Sequence, residues 1–346
     1  MNLAKADRQL RPIAAATLFL GLHVSINTLG AQTTVQFPKA TGVSNPAIQR
    51  PMTGLRPLAT IQVGGHPDWM ALTANSVWVT SSSTNSVIRL NAVTNKVGES
   101  VTIPEPCSGL AVGFGSLWVP SCADHNLVRV DLKTQKVVAR IPAGPADSEG
   151  GITTGAGSVW IVTGPKGVLA RIDPTTDSIV ARIRIPSNSY ALAFADGSVW
   201  ITSTGKSLLS RVDGATNKLV STTRVGRAPR FLTTGAGSVW TLNQGDGTIS
   251  RVDTRSGKLL ATIEAGLSGH GGEIAYGEGS IWATLFGFPI TRIDPATNRV
   301  TQQWTGKGGD SIRAGLGSVW LTDLYAGVVW RLDPALRPAE TLPIAH

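Results

Sequence analysis

Four carboxylates and one histidine stand out in this sequence as residues suited to chemistry. They are Glu149, Glu273, Asp310, Asp323 and His270. Carboxylate oxygens are the ligands that a hard divalent cation such as Mg²⁺ prefers, and a histidine beside them is suited to act as a general base. We therefore predict a metal site formed by the four carboxylates, with His270 as the catalytic residue. The alternative for each carboxylate is a solvated loop side chain.

Ligand contacts form a second set of candidate residues. Asp68, Tyr190, Arg230 and Glu149 combine charge with aromatic surface, which suits a concave ligand pocket. The sequence contains no Gly-x-Ser-x-Gly, His-Glu-x-x-His or Cys-x-x-Cys motif and no phosphate-binding loop. The prediction of a site therefore depends on where the fold places these residues.

A repeat of about forty residues organises the chain. Its marker is a tryptophan, and successive copies lie 40, 42, 40, 40, 42 and 38 residues apart, at Trp78, Trp118, Trp160, Trp200, Trp240, Trp282 and Trp320. Five copies close the motif Gly-x-Gly-Ser-(Val/Leu/Ile)-Trp, and an Arg-x-Asp or Arg-x-Asn motif follows each tryptophan by nine to thirteen residues. Apolar and polar residues alternate between Gly, Asn and Asp turns, which predicts four short strands per repeat. The sequence thus predicts an all-β fold, a seven-bladed β-propeller of four-stranded blades around a central channel.

The closing strand of the last blade has two candidates. Pro57–Gly65 and Pro338–Ala345 both match the pattern of the fourth strand in the other repeats. The sequence does not choose between them.

The seven copies separate scaffold residues from site residues. A residue found in every copy serves the blade, whereas a polar residue found in one copy is a site candidate. Both 42-residue intervals place two extra residues before the first strand, in Gly144–Gly151 of the third blade and Gly266–Glu273 of the sixth. At about 51° per blade these loops lie roughly opposite each other across the channel. We expect Glu149 to face His270 and Glu273 there.

The domain organisation follows from composition. Residues 1–31 have a basic start and a short apolar stretch, which predicts a signal peptide and a secreted or periplasmic protein; the alternative is an uncleaved anchor. We interpret residues 32–57 as a flexible leader and residues 58–346 as the propeller domain. In an exported protein, the only two cysteines, Cys107 and Cys122, favour a disulfide over a metal site.

The charge excludes some partners. The net charge is +9, but no basic run is present, so we expect no nucleic-acid partner. No segment after the signal is long and apolar enough to cross a bilayer. We expect a monomer.

The repeat also resembles a known family. The Gly-x-Gly-Ser-Val-Trp and Arg-Val-Asp-x-x-Thr units over residues 58–346 resemble the streptogramin (virginiamycin B) lyase-like propellers. The resemblance implies a seven-bladed ring and a Mg²⁺-dependent enzyme that opens a cyclic depsipeptide by C–O elimination. It implies a metal held by carboxylates at the channel mouth and a histidine base. His270 and Glu273 lie in the loop where the family places a Glu-x-His pair, in the opposite order, and Asp323 is the only acid three residues after a repeat tryptophan.

Three functions follow as expectations. The first is a binding propeller that holds a small molecule, a peptide or an envelope component at the channel mouth. The alternative is a metal-dependent lyase or hydrolase that opens a cyclic ester or depsipeptide. The third is an interaction platform that uses the blade edges. The fold alone does not choose among them.

Overall fold

The computed structural model describes residues 37–164 and 166–337. The predicted signal peptide and the candidate strand Pro338–Ala345 lie outside these residues. Two short strands precede the blades, β1 (Gln49–Pro51) and β2 (Ala59–Gln62). The helical content of the described residues is three single 3-10 turns, at Met52–Gly54, Ser82–Thr84 and Thr204–Lys206.

Each repeat folds into one antiparallel sheet. The first blade contains β3 (Pro67–Thr73), β4 (Ser76–Ser81), β5 (Ser86–Asn91) and β6 (Val97–Thr102). The second contains β7 (Ala111–Gly113), β8 (Ser116–Ser121), β9 (Asn126–Asp131) and β10 (Val137–Ile141), and the third contains β11 (Ile152–Gly155), β12 (Ser158–Gly164), β13 (Val168–Asp173) and β14 (Ser178–Arg184). The fourth contains β15 (Ser189–Ala195), β16 (Ser198–Ser203), β17 (Leu208–Asp213) and β18 (Lys218–Arg224).

The remaining blades follow the same order. The fifth contains β19 (Pro229–Gly235), β20 (Ser238–Asn243), β21 (Thr248–Asp253) and β22 (Leu259–Glu264). The sixth contains β23 (Ile274–Gly277), β24 (Ser280–Leu285), β25 (Gly287–Asp294) and β26 (Arg299–Gly306), and the seventh contains β27 (Ile312–Gly315), β28 (Ser318–Asp323) and β29 (Val328–Leu332).

The ring closes through the N-terminal candidate strand. β2 pairs with β29 in antiparallel register and supplies the fourth strand of the seventh blade. The first strand of each blade lies beside that of the next, and β27 lies beside β3. The predicted seven-bladed β-propeller is confirmed. Both two-residue insertions lie where we expected them, in the loops between β10 and β11 and between β22 and β23.

The repeated residues form the scaffold between blades. In the third repeat, Trp160 is fully buried and its Nε1 donates to the carbonyl of Gly155 at 2.9 Å. The Arg171 guanidinium lies 5.0 Å from the Trp160 ring centroid, and its Nε donates to Ser158 Oγ at 2.8 Å. The same arginine–serine bond occurs in all seven repeats, from Arg89, Arg129, Arg171, Arg211, Arg251, Arg292 and Arg331. These residues therefore hold each blade together.

The aspartate of the Arg-x-Asp motif caps the turn after the third strand, as its residue type predicts. Asp213 Oδ1 accepts from the backbone N–H groups of Ala215 at 3.1 Å and Thr216 at 2.7 Å. These bonds favour the ionised form and lower the pKa of the exposed Asp213 carboxyl.

The described part of the predicted leader, residues 37–57, packs on the sixth blade. β1 pairs in parallel with β26, so that Gln49 lies beside Gln303. The backbone N–H of Gly42 donates to the carbonyl of Gly266 at 3.1 Å, and that of Val43 donates to Gln303 Oε1 at 2.9 Å. A segment without apolar periodicity still pairs here because an edge strand offers free backbone groups.

The cysteine pair forms the expected disulfide. Cys107 precedes β7 and Cys122 follows β8, and their Cα atoms are 5.4 Å apart. The bridge therefore joins the two ends of the innermost hairpin of the second blade. Across the described residues, no helix has both the length and the apolar character that spanning a bilayer requires.

Candidate functional site

One cavity of about 150 Å³ opens at the channel mouth. The first strand of each blade is innermost, so this strand and the loop before it reach the channel. Residues from six blades, all except the fourth, line the cavity. The lining includes three carboxylates and three aromatic rings, and it contains no lysine or arginine. The lining residues are Asp68, Trp69, Ser108, Glu149, Phe231, Gly271, Gly272, Phe286, Asp310 and Ser311. Asp68, Glu149 and Asp310, chosen from the sequence, thus lie around one space.

Asp68 and Asp310 form a hydrogen-bonded carboxyl pair in this cavity. Ser108 Oγ donates to Asp68 Oδ2 at 2.7 Å, and the backbone N–H of Gly272 donates to Asp310 Oδ1 at 3.1 Å. Burial, followed by the negative charge of Asp310, raises the pKa of Asp68 well above its usual value. Burial also raises the pKa of Asp310. Asp68 therefore keeps its proton to higher pH than an exposed aspartate and donates it to Asp310.

Glu149 is held by a basic side chain behind the cavity. Arg230 Nη2 donates to Glu149 Oε1 at 2.8 Å, and its Nη1 lies 3.6 Å from Asp147 Oδ2. The Arg230 guanidinium also lies 4.2 Å from the ring centroid of Tyr190. Burial raises the pKa of Asp147 to about 6, although the charge of Arg230 acts in the opposite direction. Arg230 and Tyr190, predicted as ligand contacts, thus support Glu149 and lie outside the lining of this cavity.

Glu273 lies deeper and forms a buried ion pair. Its side chain is 2% exposed, and Arg313 Nη1 donates to its Oε1. Its Oε2 accepts from Ser311 Oγ at 2.5 Å and from the backbone N–H of Ile312 at 3.1 Å. Burial raises the pKa of Glu273, and Arg313 lowers it. Both carboxylate oxygens are therefore occupied by protein donors.

Aromatic side chains form the floor of the cavity. The rings of Trp69 and Phe231 lie 5.6 Å apart between centroids at a tilt of 46°. Trp69 also lines the channel space of about 300 Å³ together with Glu273 and Arg313, and the Arg313 guanidinium lies 5.0 Å from the Trp69 ring centroid. Trp69 thus lies between the mouth cavity and the channel.

Two predicted site residues lie apart from this cavity. Asp323 is 8% exposed, and its Oδ1 accepts from the backbone N–H groups of Tyr325 at 3.2 Å and Ala326 at 3.0 Å. It lines a different space, between the sixth and seventh blades. His270 is exposed and lies against Phe37, with 4.7 Å between ring centroids. The loop containing His270 lines the mouth cavity through its next two residues, Gly271 and Gly272.

The four predicted metal ligands have different surroundings in the structure. Within residues 37–164 and 166–337, no three side chains of His, Cys, Asp or Glu are grouped so as to hold a metal ion. Glu273 is bound by Arg313, Glu149 is bound by Arg230, and Asp323 caps a turn. Protein donors thus contact three of the four carboxylates, and the metal site stays a prediction.

Some residues of the site were not selected from the sequence. Trp69, Asp147 and Arg313 lie within three residues of selected residues, at the start of a first strand or in the loop before it, but spacing does not show which charges will pair. Phe286 directly follows β24 and is the only aromatic residue four positions after a repeat tryptophan, a signal that the comparison of copies contains.

Comparison with known proteins identifies the fold. No protein-family model matches the sequence, and no curated protein matches it. A streptogramin B lyase structure matches with a TM-score of 0.68 and 18% identity over 79% of this chain and 96% of that chain. Virginiamycin B lyase from Staphylococcus aureus matches with a TM-score of 0.66 and 16% identity over 79% and 97%.

A structure that is not named as a lyase also matches this fold. Hydrazine synthase from Kuenenia stuttgartiensis matches with a TM-score of 0.66 and 14% identity, over 79% of this chain and 96% of that chain. Likeness at such low identity concerns the fold and leaves activity open. These comparisons show that the chain has the β-propeller fold of the streptogramin B and virginiamycin B lyase structures.

Proposed function

We propose that this chain is an exported propeller that binds a ligand at its channel mouth through an organic cationic group. The observation that carries this proposal is the composition of the mouth cavity, where three carboxylates and three aromatic rings surround a small space that no lysine or arginine lines. Aromatic faces attract cations, most strongly where water is excluded. A carboxylate beside them adds direct charge pairing.

The charge balance of the site favours a cationic ligand. Arg230 pairs with Glu149 and Asp147, and Arg313 pairs with Glu273. The described ion pairs include no basic partner for Asp68 or Asp310, and burial raises the pKa of both carboxyls. A buried charge is costly unless it is paired. A ligand cation supplies that pairing.

The size of the cavity limits what it holds. A space of about 150 Å³ accommodates a small head group, whereas drug-sized ligands occupy pockets of about 300–1,000 Å³. The rest of a larger ligand therefore extends outward from the mouth.

A matched pair of probes tests this proposal. Tetramethylammonium and tert-butanol are similar in size and differ in charge. Ligand-observed NMR is expected to show saturable binding of tetramethylammonium and none of tert-butanol. Asp310→Asn is expected to weaken binding about tenfold or more, because loss of one partner of a buried charge pair costs about 2 kcal/mol or more.

The matched control is Asp196→Asn. Asp196 is an exposed carboxylate outside the cavity, and its left-handed φ of 46° is one that asparagine tolerates. This variant should bind like the wild type. Equal binding of the two probes, or unchanged binding in Asp310→Asn, would reject the proposal.

Export is the second part of the proposal. The composition of residues 1–31 supports it, and so does the Cys107–Cys122 disulfide, since disulfides persist in oxidising compartments. Fractionation of the native host, with N-terminal sequencing of the mature protein, tests it. Processing near residue 31 is expected, and an unprocessed cytoplasmic protein would contradict it.

A metal-dependent lyase is the alternative function. The likeness to structures named as streptogramin B and virginiamycin B lyases favours it, as do Glu149 and Asp310 at the mouth beside the loop of His270. Magnesium binding stays a prediction. Calorimetry with Mg²⁺ on the wild type, Glu149→Ala and Glu273→Ala tests it: stoichiometric binding lost in both variants would support the lyase, and no binding would remove the metal.

A further inference from the structure

A cleft between the sixth and seventh blades adjoins the mouth cavity. Its volume is about 690 Å³, and its lining runs through Phe286–Gly287, Gly306–Asp310 and Asp323–Ala326. Phe286 and Asp310 line both this cleft and the mouth cavity. The two spaces are therefore neighbours that meet at one ring and one carboxylate.

Two exposed aromatic rings form a wall of this cleft. Phe286 is 43% exposed and Tyr325 is 79% exposed, and their centroids lie 6.3 Å apart at a tilt of 42°. Phe286 follows β24 and Tyr325 lies just beyond β28, so each ring lies after the second strand of its blade. Neighbouring exposed rings form apolar surface of the kind that marks binding sites.

The repeat shows that these rings are not part of the scaffold. Four residues after the repeat tryptophan, the other six copies have Ser82, Cys122, Gly164, Thr204, Gln244 and Leu324. Five residues after it, the copies other than that of Tyr325 have Ser83, Ala123, Pro165, Gly205, Gly245 and Gly287. An aromatic residue thus occurs once at each position, in adjacent blades, and both face the same cleft. A blade does not require them.

A glycine-rich loop also lines this cleft, and its backbone requires glycine. Gly308 has a φ of 89°, and a Cβ there would lie 2.8 Å from the Trp330 ring. The loop therefore lies close against the seventh blade. A larger residue at position 308 would displace the loop.

The contents of the two spaces are complementary. Three carboxylates line the mouth cavity, whereas the exposed rings of Phe286 and Tyr325 line the cleft, and Asp310 lies where the spaces meet. We infer that the cleft is a second subsite of the same ligand and binds an apolar ring attached by a short linker to the cationic group at Asp310. This inference rests on the proposed function and adds the ligand class, an amphipathic organic cation that carries a ring.

A probe series measures the contribution of the ring. The probes are tetramethylammonium, which does not extend into the cleft, and phenylalkyl-trimethylammonium ions with one, two or three methylene groups between ring and nitrogen. Burial of a phenyl ring contributes about 1.5–3 kcal/mol, so the best phenylalkyl ion is expected to bind about tenfold to a hundredfold more tightly than tetramethylammonium.

Two tyrosine variants locate that gain. Tyr325→Ala removes a ring of the cleft, and an exposed position of this kind contributes little to stability. Tyr276→Ala is the matched control, because Tyr276 is also exposed but lines the central channel instead. The phenylalkyl ions are expected to bind the wild type more tightly than tetramethylammonium does. We expect Tyr325→Ala to lose most of this gain in affinity and Tyr276→Ala to keep it.

The outcomes separate the two proposals. If tetramethylammonium binds and the phenylalkyl ions show no gain, or keep the gain in Tyr325→Ala, the cleft is not the ring subsite and the mouth proposal stands. If neither tetramethylammonium nor any phenylalkyl ion binds, the mouth proposal itself fails. A gain lost only in Tyr325→Ala supports the inference.

Discussion

Asp68 of the first blade and Asp310 of the seventh share a hydrogen bond at the channel mouth. The two carboxyls belong to opposite ends of the repeat array, and they meet because β27 lies beside β3 where the ring closes. Burial raises the pKa of both groups. A ligand cation is proposed to supply the positive charge that this pair lacks among the described ion pairs.

The first prediction concerns pH and stability. A carboxyl whose pKa is raised on folding stabilises the protein fully below its unfolded pKa, and this contribution is lost as pH rises through the folded pKa. For Asp147 the window runs from about pH 4 to about pH 6, and the raised pKa of Asp68 adds loss in the same direction. We expect the free energy of unfolding to fall as pH rises through this window.

Asn variants test the origin of this fall. Asp68→Asn removes one member of the pair, so the free energy of unfolding should decrease less steeply as pH rises. Urea unfolding at several pH values measures this dependence. Asp196→Asn should leave it unchanged, since Asp196 is exposed and has no part in the pair. The same pH dependence in Asp68→Asn as in the wild type would contradict a raised pKa of Asp68.

The second prediction concerns Arg230. Replacing it with methionine leaves Glu149 and Asp147 without their basic partner. Because these side chains are partly exposed, at 24% and 23%, we expect a loss of about 1–3 kcal/mol at neutral pH, below that for a fully buried pair. The loss should shrink at acid pH, where the carboxyls are neutral. A loss independent of pH would indicate a packing effect alone.

The third prediction concerns the disulfide. The bridge joins cysteines separated by 15 residues, and a loop of this length stabilises the folded state by about 3 kcal/mol. The Cys107→Ala/Cys122→Ala double variant should lose about that much in urea unfolding. Reduced wild-type protein is the control and should unfold with the variant. If the double variant unfolds with oxidised wild type instead, the bridge does not stabilise the ring.

The fourth prediction concerns ring closure. Ile61 on β2 is 4% exposed and pairs with Val329 of the seventh blade. Ile61→Ala should cost about 2–4 kcal/mol of unfolding free energy, as for other buried isoleucines. Leu58→Ala, at a residue 58% exposed just before β2, is the control and should cost little. Equal effects of the two changes would contradict closure through β2.

The fold was predictable because each blade repeats the same physical solution. The repeat tryptophan, the arginine over its ring and the turn-capping aspartate recur. The seven copies therefore indicate one common blade structure. The choice between the two closing strands was not predictable, because both candidates alternate in the same way. The pairing of β1 with β26 depends on backbone groups at a sheet edge, which leave no side-chain pattern.

The site was predictable in its location and less so in its chemistry. The comparison of copies selected Asp68, Glu149 and Asp310, and the structure places all three around one cavity. It did not show that Glu273 pairs with Arg313, since two charges forty residues apart meet only through the packing of adjacent blades. Two of the predicted metal ligands, Glu149 and Glu273, form ion pairs in the structure, and metal binding stays a prediction.

Locating a bound cation tests the central claim most directly. Tetramethylarsonium has the shape and charge of tetramethylammonium, and its arsenic atom gives an anomalous diffraction signal in crystals soaked with it. The account predicts one dominant anomalous peak inside the cavity bounded by Asp68, Glu149 and Asp310, absent from crystals of Asp310→Asn. A dominant peak elsewhere on the propeller, or no peak at concentrations that saturate binding in solution, would contradict it.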